Sequence, residues 1–293
     1  MPIPTYPDSA PIALDMHPEL HPALSVIEDG ISEFTFANLY LFRKSYDYHL
    51  SRIGDLLVVS GAKDGKRFFM MPCGLPDDNG VLESLLSAHD YIKGLAERHA
   101  DANRVRLERM GWHPVEDRDN FDYLYLRSDL AALQGRKYHK KRNLVNAFIN
   151  NYTYDESPLT PQNIGEAFEV LDQWREERTE KDDDYEAARE ALELVDRLGL
   201  HGYIVHVDGT PAAYTLGEAL MKGRSFAVHF EKAVGDYKGI YQFINRAFAS
   251  VLPRHYHYIN REQDLGDEGL RQAKMTYRPF GFVKKYKVVP LEN

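Results

Sequence analysis

The chain has 293 residues, 43% of them hydrophobic and 12% aromatic, enough to bury the core of one large domain or of two of about 140 residues each. Its formal net charge of −9 has the wrong sign for a surface coated in nucleic acid, although a local basic groove remains compatible with it. No stretch approaches the roughly 18 apolar residues of a membrane span, and the N-terminus lacks the basic and apolar regions of a signal peptide. With Cys73 as the lone cysteine, these features predict a cytoplasmic protein without stable membrane insertion.

In chain order, residues 1–20 (MPIPTYPDSAPIALDMHPEL) read as an extended, proline-rich lead-in arm. DLLVVSGAKDGKRFFMM, from Asp55, has the strand–glycine turn–strand rhythm of a β-hairpin. Cys73, in MMPCGLP, falls where a strand runs into a turn, a poor setting for a nucleophile. VLESLLSAHDYIKGLAERHA, from Val81, reads as a helical run. NRVRLERMGWHPV, from Asn103, reads as a short helix closed by glycine and an aromatic residue, then a strand, and NFDYLYLRSDL continues as strand.

The same order recurs further on. GYIVHVDGTPAAYTLGEA, from Gly202, is a second hairpin with Asp208-Gly209 at its turn. KGIYQFINRAFASVLPR, from Lys238, is a helical run, and AKMTYRPFGFVKK mirrors the run from Asn103, with Gly281 matching Gly111. The repeat predicts two related α/β domains, residues 1–127 and 128–293, each a mixed, mostly antiparallel sheet flanked by helices.

Between the halves, RKYHKKRNLVNAFINNY places Tyr138, Val145, Phe148, Ile149 and Tyr152 on one helical stripe. Lys141 falls within that stripe and Arg142 at its border, while His139, Lys140 and Asn143 point away. A lysine there either snorkels or lines a groove that holds an anion. The acidic run REERTEKDDDYEAAREALE reads as an exposed loop and helix face, except for Glu190, which shares a helix with Ala187, Leu194 and Leu198.

Three later stretches carry candidate chemistry. In FAVHFEK, alternation sets Phe226, Val228 and Phe230 on one face and Ala227, His229 and Glu231 on the other. In HYHYIN, Tyr256, Tyr258 and Asn260 share a face; His255 and His257 share the opposite one, with no third ligand at metal spacing, so no metal is assigned. INREQDLGDEGLRQAKMTYRPFGF mixes both charge signs. Its Arg261, Glu262, Asp264, Asp267 and Arg271 read either as an ion-pair network fixing a loop or as the polar floor of a ligand site. The first half has no counterpart of this loop, which predicts a structural role for that domain.

The spacing Ala273, Tyr277, Gly281, Phe282 resembles the last helix–strand unit of the GNAT acyltransferase fold, and FAVHFEKAVGDYKGIYQFINRAF resembles its central strand, phosphate loop and helix. That loop has Gly239, but Tyr241 stands where acetyl-CoA users carry a second glycine. KYHKKRN, VHFEKA, YKGIYQFIN, NREQDLGDEGLRQAK and YRPFGFVKKY, with FANLYLFR near residue 36, are together similar to the soluble bacterial family related to the C-terminal domain of phosphatidylglycerol lysyltransferase. The resemblance implies a tandem GNAT fold shared with Fem-type aminoacyltransferases. It also implies transfer of an aminoacyl group from aminoacyl-tRNA to an amine or hydroxyl. An acyl-CoA-dependent N-acyltransferase and a non-catalytic GNAT scaffold that binds a ligand or partner are the other readings; neither donor is a tightly held cofactor.

In such folds the two central strands splay and hold the acyl carbonyl between them. Acyl transfer needs a base for the nucleophile's proton and donors for the oxyanion. Glu231 or Glu262 is the candidate base, Asn260 stands at the slot, Lys274 stabilises the oxyanion or binds phosphate, and the resemblance gives Tyr277 the leaving-group proton. Lys137, Lys141, Arg142, Lys238, Gly239, Tyr241, Arg261 and Arg271 are the candidate substrate- or phosphate-binding residues. Structural alternatives are a strand-end ion pair between Glu231 and Lys232 and a packing role for Tyr277.

Overall fold

The computed structural model describes residues 2–177 and 184–291. They form two compact units, neither continuous in sequence: residues 1–122, 263–267 and 282–293 in the first, and 123–262 with 268–281 in the second. The sequence-based division at 127/128 takes no account of this exchange of C-terminal segments.

The first unit contains β1 (Ala10–Pro11), β2 (His49–Ile53), β3 (Leu56–Lys63), β4 (Lys66–Met70), β5 (Tyr91–Ala96) and β6 (Trp112–Glu116), with helices α1 (His17–Ser25), α2 (Phe36–Leu41), α3 (Asn79–Ala88) and α4 (Glu97–Arg109). The strand Lys285–Pro290 enters this sheet between β5 and β6, antiparallel to both. The β3–β4 hairpin turns at Asp64 and Gly65, both with positive φ, as a two-residue turn of this hand requires. The run from Val81 is not one helix. It breaks at His89 and continues as β5, whose six residues, the charged Lys93 among them, are all buried. Leu82, Leu85, Ile92, Leu107 and Val288 share one core cluster in this unit. Cys73 is exposed just beyond β4.

Glu33, Lys93, Asp122 and Lys285 form a buried charged cluster in the first unit. Lys285 Nζ donates to Glu33 Oε2 and, at 2.6 Å, to Asp122 Oδ1, while Lys93 Nζ lies 3.4 Å from Glu33 Oε1. Ser32 donates to both Asp122 oxygens, through its amide at 2.8 Å and its hydroxyl at 3.0 Å, and accepts from Gln263 Nε2 at 3.2 Å. Burial alone would push the Glu33 carboxyl up, but Lys285 and Lys93 outweigh it and hold the pKa at about 2.

The second unit contains β7 (Asp122–Leu126) from Tyr123 on, β8 (Tyr154–Pro158), β9 (His201–Val207), β10 (Thr210–Leu220), β11 (Ser225–Ala233), β12 (Tyr258–Asn260) and the first residue of β13 (Gly281–Val283); the C-terminal strand Lys285–Pro290 of the first unit becomes β14. Its sheet order is β13-β7-β12-β11-β10-β9-β8. Helices are α5 (Arg127–Ala132), α6 (His139–Asn151), α7 (Ile164–Glu176), α8 (Tyr185–Glu193), α9 (Val195–Leu198), α10 (Ile240–Val251) and α11 (Glu268–Met275). The β9–β10 hairpin turns at Asp208 and Gly209, both with positive φ.

Three expectations are corrected here. NFDYLYLRSDL is strand only to Leu126 and then turns into α5, and HYHYIN pairs only from Tyr258 onward. Gly281 does not repeat Gly111: Gly111 follows α4 with φ +80°, whereas after α11 the left-handed residue is Arg278, φ +54°. The part of the acidic run from Arg178 to Asp183 lies outside the described residues. The α6 stripe is as expected, with Tyr138, Val145 and Phe148 buried beside Phe243 and Ile244 of α10.

Candidate functional site

β11 and β12 run parallel in the register Ser225↔Tyr258, Phe226↔Ile259, Ala227↔Asn260. Pairing ends there, because β12 stops at Asn260 while β11 continues to Ala233, and the unpaired stretch beside β11 is termed the slot. On its other edge β11 carries a bulge: Leu216 pairs with Phe230 and Gly217 with Val228, leaving His229 as the extra residue. Gly217 is required at this step, since a Cβ there would lie 1.8 Å from the Ala227 carbonyl oxygen.

The bulged His229 is buried between two carboxylates. Its Nδ1 lies 2.7 Å from Glu262 Oε1 and its Nε2 3.0 Å from Glu218 Oε1, with 1% of the imidazole side chain exposed. Burial would lower its pKa, but Glu262 and Glu218 raise it to about 10, so the ring is a cation that donates from both nitrogens at neutral pH. Glu262 has a left-handed backbone, φ +54°, stabilised by its amide donating at 2.8 Å to Oδ1 of the buried Asn260.

Arg261 projects to a different carboxylate. Its Nη2 donates to Glu231 Oε1 at 2.8 Å, and Glu231 Oε2 meets only Asn245 Nδ2 at 3.5 Å, too long for a strong bond. Arg261 Cζ also lies 5.2 Å from the ring centroid of Tyr277, whose phenol pKa burial pushes up to about 12 against the opposing Arg261 charge and the bonds with Gln242 and Arg261, which lower it. Lys141 Nζ takes a position 4.0 Å from the same centroid. Burial, then the neighbouring Arg261 charge, lowers its pKa to about 8. Lys274 Nζ donates to the Arg261 carbonyl at 2.7 Å, and the Lys274 carbonyl accepts from Tyr125 at 2.8 Å, so Lys274 braces α11 against the strand end.

The structure thus brings together Glu231, Asn260, Arg261, Glu262, Lys274, Tyr277 and Lys141. Other candidates are engaged elsewhere. Lys137 is exposed and pairs with Asp129 at 2.9 Å. Arg142 donates to the carbonyls of Leu133 and Gly135, closing the turn before α6. The Lys238 amide donates to Tyr152 at 3.1 Å, its side chain exposed. Gly239, φ +92°, caps α10; a Cβ there would lie 2.1 Å from the Leu144 carbonyl oxygen, so its freedom serves packing against α6. The Tyr241 hydroxyl reaches the Ala233 carbonyl at 3.3 Å, and Arg271 is half-buried on α11. Tyr256 packs edge-on against Phe226 and Tyr258 tilts over Phe280, so the tyrosine against Arg261 is Tyr277.

Arg261 pairs with Glu231 and Glu262 with His229, whereas Asp264, in the first unit, pairs with Arg118 at 3.2 Å and caps Gly266 N–H at 3.0 Å. Likewise Lys232 pairs with Asp184 at 2.6 Å, leaving Glu231 to Arg261. Sequence reasoning left out Glu218, His229, Gln242 and Asn245 as site residues. Only His229 carried a signal, its place on the face of Glu231.

Two mixed sheets, each with one parallel central pair and covering helices, define a tandem GNAT-like fold. The structure of FemX shares it across 97% of this chain and 98% of its own, with 9% identity and a TM-score of 0.61. The C-terminal domain of a candidate lysylphosphatidylglycerol synthetase from Agrobacterium fabrum aligns over 96% of this chain and 93% of its own, at 12% identity and TM-score 0.65. A conserved protein of unknown function from Bacteroides thetaiotaomicron VPI-5482 is 34% identical over 96% of this chain and 99% of its own, with a TM-score of 0.85. The family model described as phosphatidylglycerol lysyltransferase, C-terminal, matches residues 24–289, and the chain belongs to that family. Comparison with curated proteins gave no match. Among the described residues no helix is long and apolar enough to cross a membrane.

Proposed function

We propose that the chain is an acyltransferase that moves an aminoacyl group from an aminoacyl-tRNA to an amine or hydroxyl acceptor in the slot beside β11. The observation that carries this reading is the Glu231–Arg261–Tyr277 arrangement at the parting strands, where one guanidinium holds a carboxylate and a buried phenol side by side. Membership of a family whose model bears the name of a lysyltransferase supports the reaction class.

Each group has a role in that chemistry. Glu231 Oε2, with only the long contact to Asn245, takes the proton of the attacking amine or hydroxyl. Glu262 is the weaker candidate base, because His229 engages it at 2.7 Å. The new bond forms at the ester carbonyl, and β11 backbone amides beyond Ala227, past the end of the β12 ladder, face the developing oxyanion. Tyr277, still protonated at neutral pH, gives its proton to the leaving sugar oxygen as the ester bond breaks. The proton gained by Glu231 balances the one Tyr277 gives up.

The loop before α10 argues against CoA as donor. A pyrophosphate cradle needs free loop amides, whereas the Lys238 amide is taken by Tyr152 and the α6 backbone lies against Gly239. The test is transfer from radiolabelled aminoacyl-tRNAs to lipid, amine and hydroxyl acceptors. Glu231→Gln and Tyr277→Phe should each lower turnover by roughly 10²–10⁴-fold with the circular dichroism unchanged. Full activity in both variants rejects the assignment. Stabilisation by CoA thioesters alone reverses the donor, and binding of either donor without product leaves a ligand-binding scaffold.

A further inference from the structure

Among the described residues of the slot, the cations are unevenly matched. Arg261 has Glu231, His229 has Glu218 and Glu262, and Lys274 donates to a backbone carbonyl. Lys141 has neither a hydrogen-bond acceptor nor a carboxylate partner, yet it is half-buried, with its ammonium on the Tyr277 ring that Arg261 also faces. Helix solubility does not explain it, because the exposed His139 and Lys140 already supply that face of α6. A lysine withdrawn from water beside another cation is unfavourable unless an opposite charge arrives.

A second group points the same way. Asn245 of α10 is 5% exposed, and its Oδ1 accepts no hydrogen bond, although its amide nitrogen approaches Glu231. Buried side-chain acceptors are nearly always satisfied, so an orphan next to the base marks a position for a ligand donor.

We propose that Lys141, lying across Tyr277, is the seat of an anionic group, a carboxylate or a phosphate, on the ligand that occupies this slot. Among these described cations of the slot, its charge is the one with neither an acceptor nor a carboxylate, and its ammonium lies 4.0 Å from the Tyr277 ring centroid. Arg261 is held off by Glu231 and tunes the seat without occupying it. The seat belongs to the same slot as the transfer reaction but does not depend on transfer occurring, so the two fail separately.

The experiment follows Lys141 itself. In protein carrying 13C at lysine Cε, its NMR signal is the one lost in Lys141→Arg, and Lys140→Arg identifies an exposed control on the same helix. Without added anion the Lys141 signal should titrate near 8. Saturating inorganic phosphate or acetate should move the midpoint upward by about one pH unit or more, as pairing with an opposite charge does. A shift with phosphate alone assigns a phosphate, and one with acetate alone a carboxylate. A midpoint unmoved by both probes, or a Lys140 shift of equal size, overturns the proposal, whatever the fate of aminoacyl transfer.

Discussion

Replacing His229 by glutamine tests the charge logic of the site most sharply. The substitution keeps a hydrogen-bond donor in the bulge but removes the cation between Glu218 and Glu262. Raising an imidazole from 6.5 to about 10 corresponds to roughly 5 kcal/mol, at about 1.4 kcal/mol per pH unit. The side chain is 1% exposed, so solvent screening takes little of it away. Because the folded pKa is raised, this stabilisation is complete below pH 6.5 and fades as pH climbs through about 10. Urea unfolding should therefore show His229→Gln destabilised by about 3–5 kcal/mol near pH 6. The gap to wild type should narrow steadily toward pH 10. A gap of the same size at both ends would mean that the imidazole packs as a neutral ring, and the reading of His229 as a buried cation would fail.

Other outcomes follow from the same geometry. Lys285→Met leaves Glu33 and Asp122 buried with Lys93 as the nearest remaining cation, for an expected loss of about 3–5 kcal/mol in urea unfolding at neutral pH. Since the Glu33 carboxyl is held at about 2, below its ordinary 4.5, that contribution is present above pH 4.5 and lost in acid; the difference from wild type should shrink there. Gly239→Ala places a methyl 2.1 Å from the Leu144 carbonyl at a left-handed residue and should cost about 2 kcal/mol or more, read as a drop in Tm. Lys141→Met should raise Tm below pH 8, where the wild-type lysine is charged against its surroundings. That advantage should shrink as pH rises from 8 toward 10.5, and a Tm difference independent of pH would count against the desolvated ammonium.

Legibility in the sequence followed local chemistry. Both hairpins could be read because Asp64-Gly65 and Asp208-Gly209 are dipeptides that fit a two-residue turn of this hand. Arg261 and Glu262 stood out because so many charges in a linker demand partners, and Lys141 because it interrupts an apolar stripe. The partners were not readable. Glu218 lies just past the step where β10 and β11 lose register, and a bulge scrambles the two-residue period on which face assignment rests. Gln242 and Asn245 sit on a helix whose polar residues look like ordinary surface positions until the sheet beneath is known. The buried quartet of the first unit was equally silent. Glu33, Lys93, Asp122 and Lys285 come from four distant segments, and no local pattern distinguishes a buried lysine from an exposed one.

The placement of β14 bears on how the chain can be made and divided. Lys285–Pro290 is an interior strand of the first unit, hydrogen-bonded to β5 on one side and β6 on the other, although the whole segment 117–284 is synthesised between β6 and it. During translation the first sheet must wait, with two strand edges open, until the second unit has left the ribosome. Such long-range closure folds slowly and exposes pairing edges meanwhile. The quartet adds a reason for the wait: before Lys285 arrives, Glu33 and Asp122 lack the cation that makes their burial tolerable. The first unit is therefore the last to be completed, and a fragment cut anywhere between the two halves leaves it without its seam.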